Sequence, residues 1–183
     1  MNFGNREVCD VTFRRQSGLG PAEFTIDTAK MSTMENSSST VYAQGGKGNS
    51  RLRAWEGEKV VTFTIEDALI TLESFYALTG ATLNTTSKNG VSGIKYSVYP
   101  TSFAGYYSIE AKTLFRDEFG IDHDAYITIP NAKLQTTLNL SMAPTGDPST
   151  FTFTLDAFPS NDENDDKLLY SLEIMDNPDA DDE

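Results

Sequence analysis

Hydrophobic and polar residues alternate with a period of two along much of this 183-residue chain. The alternation is clearest over residues 9–13 and residues 59–66, where every second position is apolar. This period is typical of strands with one buried face, so we predict a strand over each segment. The serine-rich residues 31–40 favour either an exposed strand or a mobile loop. Further strands are predicted at residues 24–26, 94–99, 106–115, 125–129, 133–141, 151–157 and 168–175.

One segment has helical periodicity instead, and it predicts a short helix over Leu72 to Thr79. Thr71 can cap its amino end, Glu73 suits the first turn, and Gly80 supplies a left-handed carboxyl cap. Its apolar stripe consists of Leu72, Phe75, Tyr76 and Leu78 or Thr79. Two turns of helix are not stable alone in water, so we expect this helix to pack on the sheet.

These elements predict a mainly β fold, an antiparallel β-sandwich or barrel-like sheet flanked by one short α-helix. Turn signals separate the predicted strands at residues 89–90, 119–120, 130–131 and 144–148. Residues 1–159 are expected to form one β-rich domain, and residues 160–183 an acidic C-terminal segment that adds a last strand and a tail.

The net charge of −13 is concentrated in that C-terminal segment. Residues 160–183 contain ten acids and one base, whereas residues 1–159 contain 17 acids and 13 bases. Tight binding to a phosphate backbone needs clustered lysine and arginine, so specific nucleic-acid binding is disfavoured. An acidic surface would instead repel nucleic acid and let it slide past.

Cys9 is the single cysteine, which excludes an internal disulfide and suits assembly in a reducing cytoplasm. The first 15 residues lack the apolar core of a signal peptide, and no apolar run is long enough for a membrane span. We therefore expect a protein that is made in the cytosol and has no membrane partner.

The sequence offers little to catalysis. His123 is the only histidine, and its neighbours Asp122 and Asp124 would point to the opposite face of a strand, so we expect a solvated turn and no metal site. Cys9 lies in a strand pattern without a nearby histidine and is expected to be a buried, inert thiol. We predict no catalytic residues and no cofactor, and hence no enzyme.

Residues 162–173 have acidic groups at the spacing of a calcium loop, counted from Asp162 to Glu173. Position six is Lys167, where the sharp turn of such a loop requires glycine. A solvated acidic hairpin is the preferred interpretation, with calcium binding kept as an alternative.

The segment from Val41 to Ala81 contains a glycine-rich basic loop, an alternating strand and the helix. The loop lacks the full phosphate-loop spacing and no helix follows it directly, so a phosphate site is rejected. It can be an ordinary solvated hairpin tip or a contact with an adjacent subunit. Trp55 suits an interface and a core or half-core position about equally. The residues predicted to form a subunit interface are Gly45, Gly46, Lys47, Arg51, Arg53 and Trp55.

This segment resembles the tail tube proteins of contractile-tailed bacteriophages. The resemblance rests on residues 42–48 (YAQGGKG), 51–55 (RLRAW), 60–67 and 72–80, and it covers mainly residues 1–81. It implies a barrel-like sheet flanked by a helix and a homohexameric ring that stacks into a tube. It also implies a virion tail assembled in the host cytoplasm, with tail sheath and baseplate proteins as partners, and a lumen through which DNA is ejected without specific binding.

Two alternatives to a tail tube subunit remain open. The first is another virion structural protein, such as a capsid decoration protein. The second belongs to a different class, a calcium- or carbohydrate-binding β-sandwich module. The size of the assembly formed by the purified protein distinguishes the tube hypothesis from both.

Overall fold

The computed structural model describes residues 3–18, 21–27, 29–45, 50–67, 71–135, 139–140, 151–161 and 166–175. The first six strands are β1 (Phe3–Ser17), β2 (Glu23–Ile26), β3 (Ala29–Gly45), β4 (Ser50–Asp67), β5 (Thr82–Lys88) and β6 (Val91–Ser97). The second half contributes β7 (Tyr106–Asp117), β8 (Asp122–Leu134), β9 (Asn139–Leu140), β10 (Phe151–Ala157), β11 (Ser160–Asn161), β12 (Lys167–Leu168) and β13 (Ser171–Ile174). The helix α1 spans Leu72–Thr79.

Nine of these strands form one antiparallel sheet, which we call the main sheet. Its order is β2-β1-β7-β8-β10-β4-β3, with β13 paired to β8 and β9 paired to β10. Two further pairs of strands, β5 with β6 and β11 with β12, form separate two-stranded sheets. The predicted mainly β fold with one short helix is therefore confirmed.

The core lies on the inner face of the main sheet, because the apolar positions of the alternating strands all point there. Phe13 stacks on Phe24 with ring centroids 4.6 Å apart, and Tyr107 meets both rings edge-on. Burial raises the pKa of Tyr107 to about 12, against the opposing charge of Arg15. The other fully buried large side chains are Val11, Val61, Ile65, Ile109, Thr113, Ile129, Phe153 and Leu155.

The helix begins and ends at the predicted caps. Thr71 Oγ1 accepts a hydrogen bond from the Ser74 N–H at 3.1 Å, and Ser74 Oγ accepts one from the Thr71 N–H at 3.1 Å. Gly80 closes the helix at φ 62°, with its N–H bonded to the Tyr76 carbonyl. The helix packs on the sheet as expected, since the Tyr107 hydroxyl donates to the Ala77 carbonyl at 3.4 Å.

The predicted apolar stripe of the helix is wrong at its first position. Leu72 is 60% exposed, while Ser74 and Ala77 are buried. Leu72 is the first helical residue and lies on the side turned away from the sheet. No helix in the described part of the chain is both long and apolar enough to cross a membrane.

The predicted strand pattern differs from the structure in two further places, a turn that is absent and a strand that the pattern did not indicate. The turn expected at residues 130–131 does not exist, because β8 continues through it to Leu134. Pro130 is tolerated there since the register with β7 shifts at this point, so its missing N–H interrupts no regular pair. The polar strand β5 was not predicted, because its threonines and serines give no apolar alternation.

Candidate assembly interface

The strand β4 has an inner half that belongs to the core and an outer half that leaves it. Residues 61–66 alternate between buried and partly buried positions, and β10 pairs with residues 62–67. Residues 53–60 are all exposed. Within the described residues, the outer half of β4 pairs only with β3.

We call residues 35–45 and 50–60 the long ribbon, a two-stranded hairpin projecting beyond the core. Eleven residues of extended strand span about 35 Å. At its base, the Asn36 side-chain amide donates to the Tyr170 hydroxyl at 3.3 Å. The serine-rich segment 31–40 lies within β3, so its interpretation as a strand is confirmed, and residues 35–40 are all exposed.

The ribbon contains two register shifts, and one of them brings the two backbones close together. The register changes between Ser38 and Thr40, opposite Gly57. A Cβ atom on Gly57 would lie 3.2 Å from the Ser39 carbonyl oxygen and would overlap the Ser39 hydroxyl. A side chain at position 57 would crowd Ser39, so glycine suits the close approach at this bulge, and such bulges increase the local twist of a strand.

One face of the ribbon carries an exposed apolar pair. Val41 and Trp55 are cross-strand partners, and they are 64% and 54% exposed. Arg53 lies two residues before Trp55 in β4, so it is on the same face, and its cross-strand partner is Ala43. A tryptophan at this exposure is not a fully buried core residue.

The opposite face of the ribbon is organised by a cation–π contact. The Arg51 guanidinium carbon lies 4.2 Å from the centroid of the Tyr42 ring, which is 41% exposed. Such contacts contribute about 0.5–1 kcal/mol at exposed sites and hold the guanidinium flat against the ring. The edge of that guanidinium remains available to a carboxylate.

The predicted interface residues are placed as follows. Gly45 is the last residue of β3, and Arg51, Arg53 and Trp55 all lie in the outer half of β4. Arg53 and Trp55 share one face, and Arg51 lies on the other. Gly46 and Lys47 are outside the described residues. The assignment of these six residues to a subunit interface remains a prediction.

His123 contradicts the prediction of a solvated turn. It lies within β8 and is 6% exposed. Its Nδ1 is 3.2 Å from the Met175 carbonyl oxygen, and its Nε2 is 3.5 Å from Asp117 Oδ2. Sequence reasoning missed this position because His123 was assigned to a turn, whereas it lies on the inward face of the strand that follows.

The neighbouring carboxylate of Asp117 is also buried. Burial alone would raise its pKa, but the N–H groups of Ile121 and Phe119 donate to Asp117 Oδ1 and His123 lies beside Oδ2. These contacts outweigh burial, so the pKa of Asp117 lies below its ordinary value. The arrangement ties the β7–β8 turn to the end of β13 and is structural in character.

The described residues contain no group of three or more histidine, cysteine, aspartate or glutamate side chains that could hold a metal ion. A third of the calcium-loop segment, residues 162–165, lies outside the described residues, and so does the side chain of Cys9. An open cavity of about 430 Å³ is present at the ends of β1 and β8. It is lined by Gln16, Ser17, Tyr106, Pro130, Asn131, Phe158 and Ser160.

Comparison with known protein families agrees with this picture. The model of the YomU/Tube protein family matches residues 4–93 and residues 90–170. These two matches together cover most of the chain. The chain belongs to the YomU/Tube protein family. The predicted resemblance to tail tube proteins is thus confirmed at the level of the family, and it extends well beyond residue 81.

Solved structures similar to this tube-family chain share little sequence with it. A chain of the sheath-tube complex of the extracellular contractile injection system PVC, in its extended state, is 10% identical with a TM-score of 0.46. That match covers 91% of this chain and 89% of the other.

Two chains from the anti-feeding prophage are similar to the same degree. One comes from its tube-terminating cap, with 10% identity, a TM-score of 0.47, and coverage of 91% of this chain and 88% of the other. The second comes from the six-fold symmetrised baseplate, with 10% identity, a TM-score of 0.48, and coverage of 94% and 97%. None of the curated proteins matches the chain.

Proposed function

We propose that this chain is the structural subunit of a phage tail tube. Copies of it close a homohexameric ring, and the rings stack into a tube within a contractile tail. Membership of the YomU/Tube family supports this role. In the virion the tube is surrounded by sheath proteins and ends on baseplate proteins, and the subunits assemble in the host cytoplasm.

The observation that carries this proposal is the long ribbon. A ribbon with an exposed Val41–Trp55 pair buries little apolar area in one isolated subunit, and exposed strand edges invite pairing with another chain. Both conditions are satisfied when a neighbouring copy covers the ribbon. Trp55 and Arg53 are of the residue types that dominate the energetics of protein interfaces.

DNA passes through the lumen of this tube without specific binding. Residues 1–159 are only mildly acidic, so a wall made from them repels a phosphate backbone weakly along its whole length. The role is mechanical and electrostatic, and it requires no catalytic residue.

Charge reversal on the ribbon tests the proposal. Changing Arg51→Glu and Arg53→Glu together should abolish ring and tube formation, because the change reverses one positive charge on each face of the ribbon. The free subunit should remain folded, with a loss of about 1 kcal/mol or less from the Arg51–Tyr42 contact. Assembly is measured by negative-stain electron microscopy and sedimentation velocity, and folding by circular dichroism.

The matched control is Lys133→Glu with Lys167→Glu, which makes the same change in net charge away from the ribbon. This control should assemble like the wild type. Normal assembly by the ribbon variant would show that the ribbon is not the interface, and a wild-type protein that stays monomeric at all concentrations would overturn the proposed function itself.

A further inference from the structure

Three cations on the main sheet have acidic partners within the chain. Arg14 lies 3.2 Å from Glu110, Lys112 lies 2.9 Å from Asp124, and Arg116 binds Asp122 with two hydrogen bonds. These pairs are partly exposed and hold the surface charge in balance locally.

The hairpin formed by β5 and β6, here called the short hairpin, differs in this respect. Its two cations, Lys88 and Lys95, are exposed and form no ion pair or ring contact with any described residue. No aspartate or glutamate occurs between Glu73 and Glu110. The remainder of the chain contains all 27 acids and only 12 of the 14 lysines and arginines. The short hairpin is therefore a positive element on a strongly negative protein.

The short hairpin has regular turn geometry but few contacts with the rest of the described residues. Asn89 and Gly90 both have positive φ, at 54° and 79°, which matches the tight turn that two-residue hairpins prefer. Its strands pair only with each other among the described residues, and every residue from 82 to 95 is exposed. The contact at its root is between the rings of Phe75 and Tyr96, whose centroids are 5.8 Å apart.

An isolated two-stranded hairpin is marginally stable in water, so an element of this kind gains most from a partner. The short hairpin also presents apolar side chains to that partner. Val91 is 71% exposed and Ile94 is 59% exposed, and they lie on opposite faces of the short hairpin. Lys88 is the cross-strand partner of Val91, so one face combines a cation with an apolar group.

We propose that the short hairpin docks on the acidic surface of a second copy of this chain. Charge complementarity supports this contact. Two copies that each carry a net charge of −13 repel one another, and this repulsion is reduced where a positive element of one copy faces acidic residues of the other. The long ribbon offers two such acids beside its own cations Arg51, Arg53 and Lys59. The side chains of Glu56 and Glu58 are exposed and form no ion pair with a described residue. This inference rests on the proposed function and gives the subunit a second contact, distinct from the Val41–Trp55 face.

The test compares the double variant Lys88→Glu/Lys95→Glu with the wild type and with the control Lys133→Glu/Lys167→Glu, which has the same net charge. Sedimentation velocity over a concentration series gives the concentration at which half of the protein is associated. We expect this concentration to rise at least about tenfold for the hairpin variant and to change little for the control. The melting temperatures of the wild type and the hairpin variant should agree, because the side chains of Lys88 and Lys95 form no ion pair or ring contact with a described residue. The control loses the contact between Lys133 and the Tyr106 ring and the hydrogen bond from Lys167 to Asn161, so its melting temperature is compared separately.

A second variant, Ile94→Ser, tests the apolar part of the contact without changing charge. It should also weaken self-association while leaving the monomer intact, since Ile94 is largely exposed there. Mixing the hairpin variant with a Glu56→Lys/Glu58→Lys copy should restore association, as the two reversed surfaces attract each other.

Each outcome has a defined meaning. If the wild type associates and the hairpin variant associates equally well, the inference is wrong and the proposed function stands. If the wild type does not associate under any condition, both are wrong. If self-association is unchanged but binding of a purified sheath or baseplate protein is lost, the short hairpin belongs to that partner and the inference is overturned.

Discussion

The inner and outer halves of β4 lie on one continuous strand but have opposite surroundings. Val61 is fully buried beside β10, while the preceding Val60 is 44% exposed. Val41 and Trp55, farther out, are no less apolar than the core residues and are still exposed. The outer half is more charged than the inner half, but both contain apolar residues. Those of the inner half are buried because this half has a paired strand on each side, whereas the outer half pairs with β3 alone among the described residues. The inner half of β4 is covered by strands of its own chain, and we propose that the long ribbon is covered by neighbouring copies.

The largest expected effect is on the main sheet. Phe13→Ala removes a fully buried ring that stacks on Phe24 and should lower the free energy of unfolding by ~3–5 kcal/mol. If this variant does not fold, Val61→Ala should show a smaller loss of about 2 kcal/mol. Urea unfolding of the monomeric protein measures both. A loss below about 1 kcal/mol for Phe13→Ala would contradict the assignment of the core.

The second-largest effect on the free energy of unfolding is expected at the carboxyl cap of the helix, which lies against the loop before β7. Gly80 has φ 62°, and a Cβ atom there would lie 2.6 Å from the Phe103 carbonyl carbon. Gly80→Ala should therefore cost about 2 kcal/mol or more, from both backbone strain and overlap.

Gly120→Ala is the matched control for this change. Gly120 also has a positive φ of 87°, but nothing lies within 4 Å of its would-be Cβ. It should show only the backbone term of about 1 kcal/mol. Equal losses at the two glycines, in thermal or urea unfolding, would show that the Phe103 contact does not constrain the helix end.

A pH-dependent effect should also originate in the main sheet. The pKa of Asp117 is lowered in the folded protein, so its contribution to stability is present above the ordinary aspartate pKa of about 3.9 and is lost as pH falls through the lower folded value. Asp117→Asn should remove this part of the acid sensitivity. Unfolding curves recorded between pH 2 and pH 5 measure it, and identical slopes for variant and wild type would contradict the assignment.

The smallest effect on the free subunit is expected on the long ribbon. Trp55→Ala should change the free energy of unfolding of the monomer by less than ~0.5 kcal/mol, because the ring is more than half exposed. The same change should abolish association. A large loss of monomer stability would show that Trp55 packs within its own chain. It would contradict the statement that the long ribbon, unlike the core, contributes little to the stability of the single subunit.

Much of the fold could be predicted from local pattern. Alternation located the inner half of β4 and the start of β7, and the capping residues Thr71 and Gly80 bounded the helix. These features depend on neighbours in sequence, which is why they can be read from it. The predicted turn at Pro130 was wrong because a register shift in the partner strand accommodates the proline, and that depends on β7.

The candidate interface was predictable in part. The glycine and arginine pattern directed attention to Gly45, Arg51 and Trp55, but it could not show that Arg51 and Trp55 lie on different faces. That division follows from the register shift between Ala43 and Gln44. The burial of His123 was missed for a similar reason, since its partners Asp117 and Met175 meet it only through strand pairing. The short hairpin was half predicted, because its turn was recognised and β5 was not.

We propose above all that neighbouring copies in a ring cover the exposed surface of the long ribbon. Negative-stain electron microscopy of the purified wild-type protein, with the Trp55→Ala variant beside it at equal concentration, tests this most directly. We expect closed rings or stacked tubes for the wild type and only folded single subunits for the variant. Single wild-type subunits at every concentration, or rings formed equally by both proteins, would contradict it.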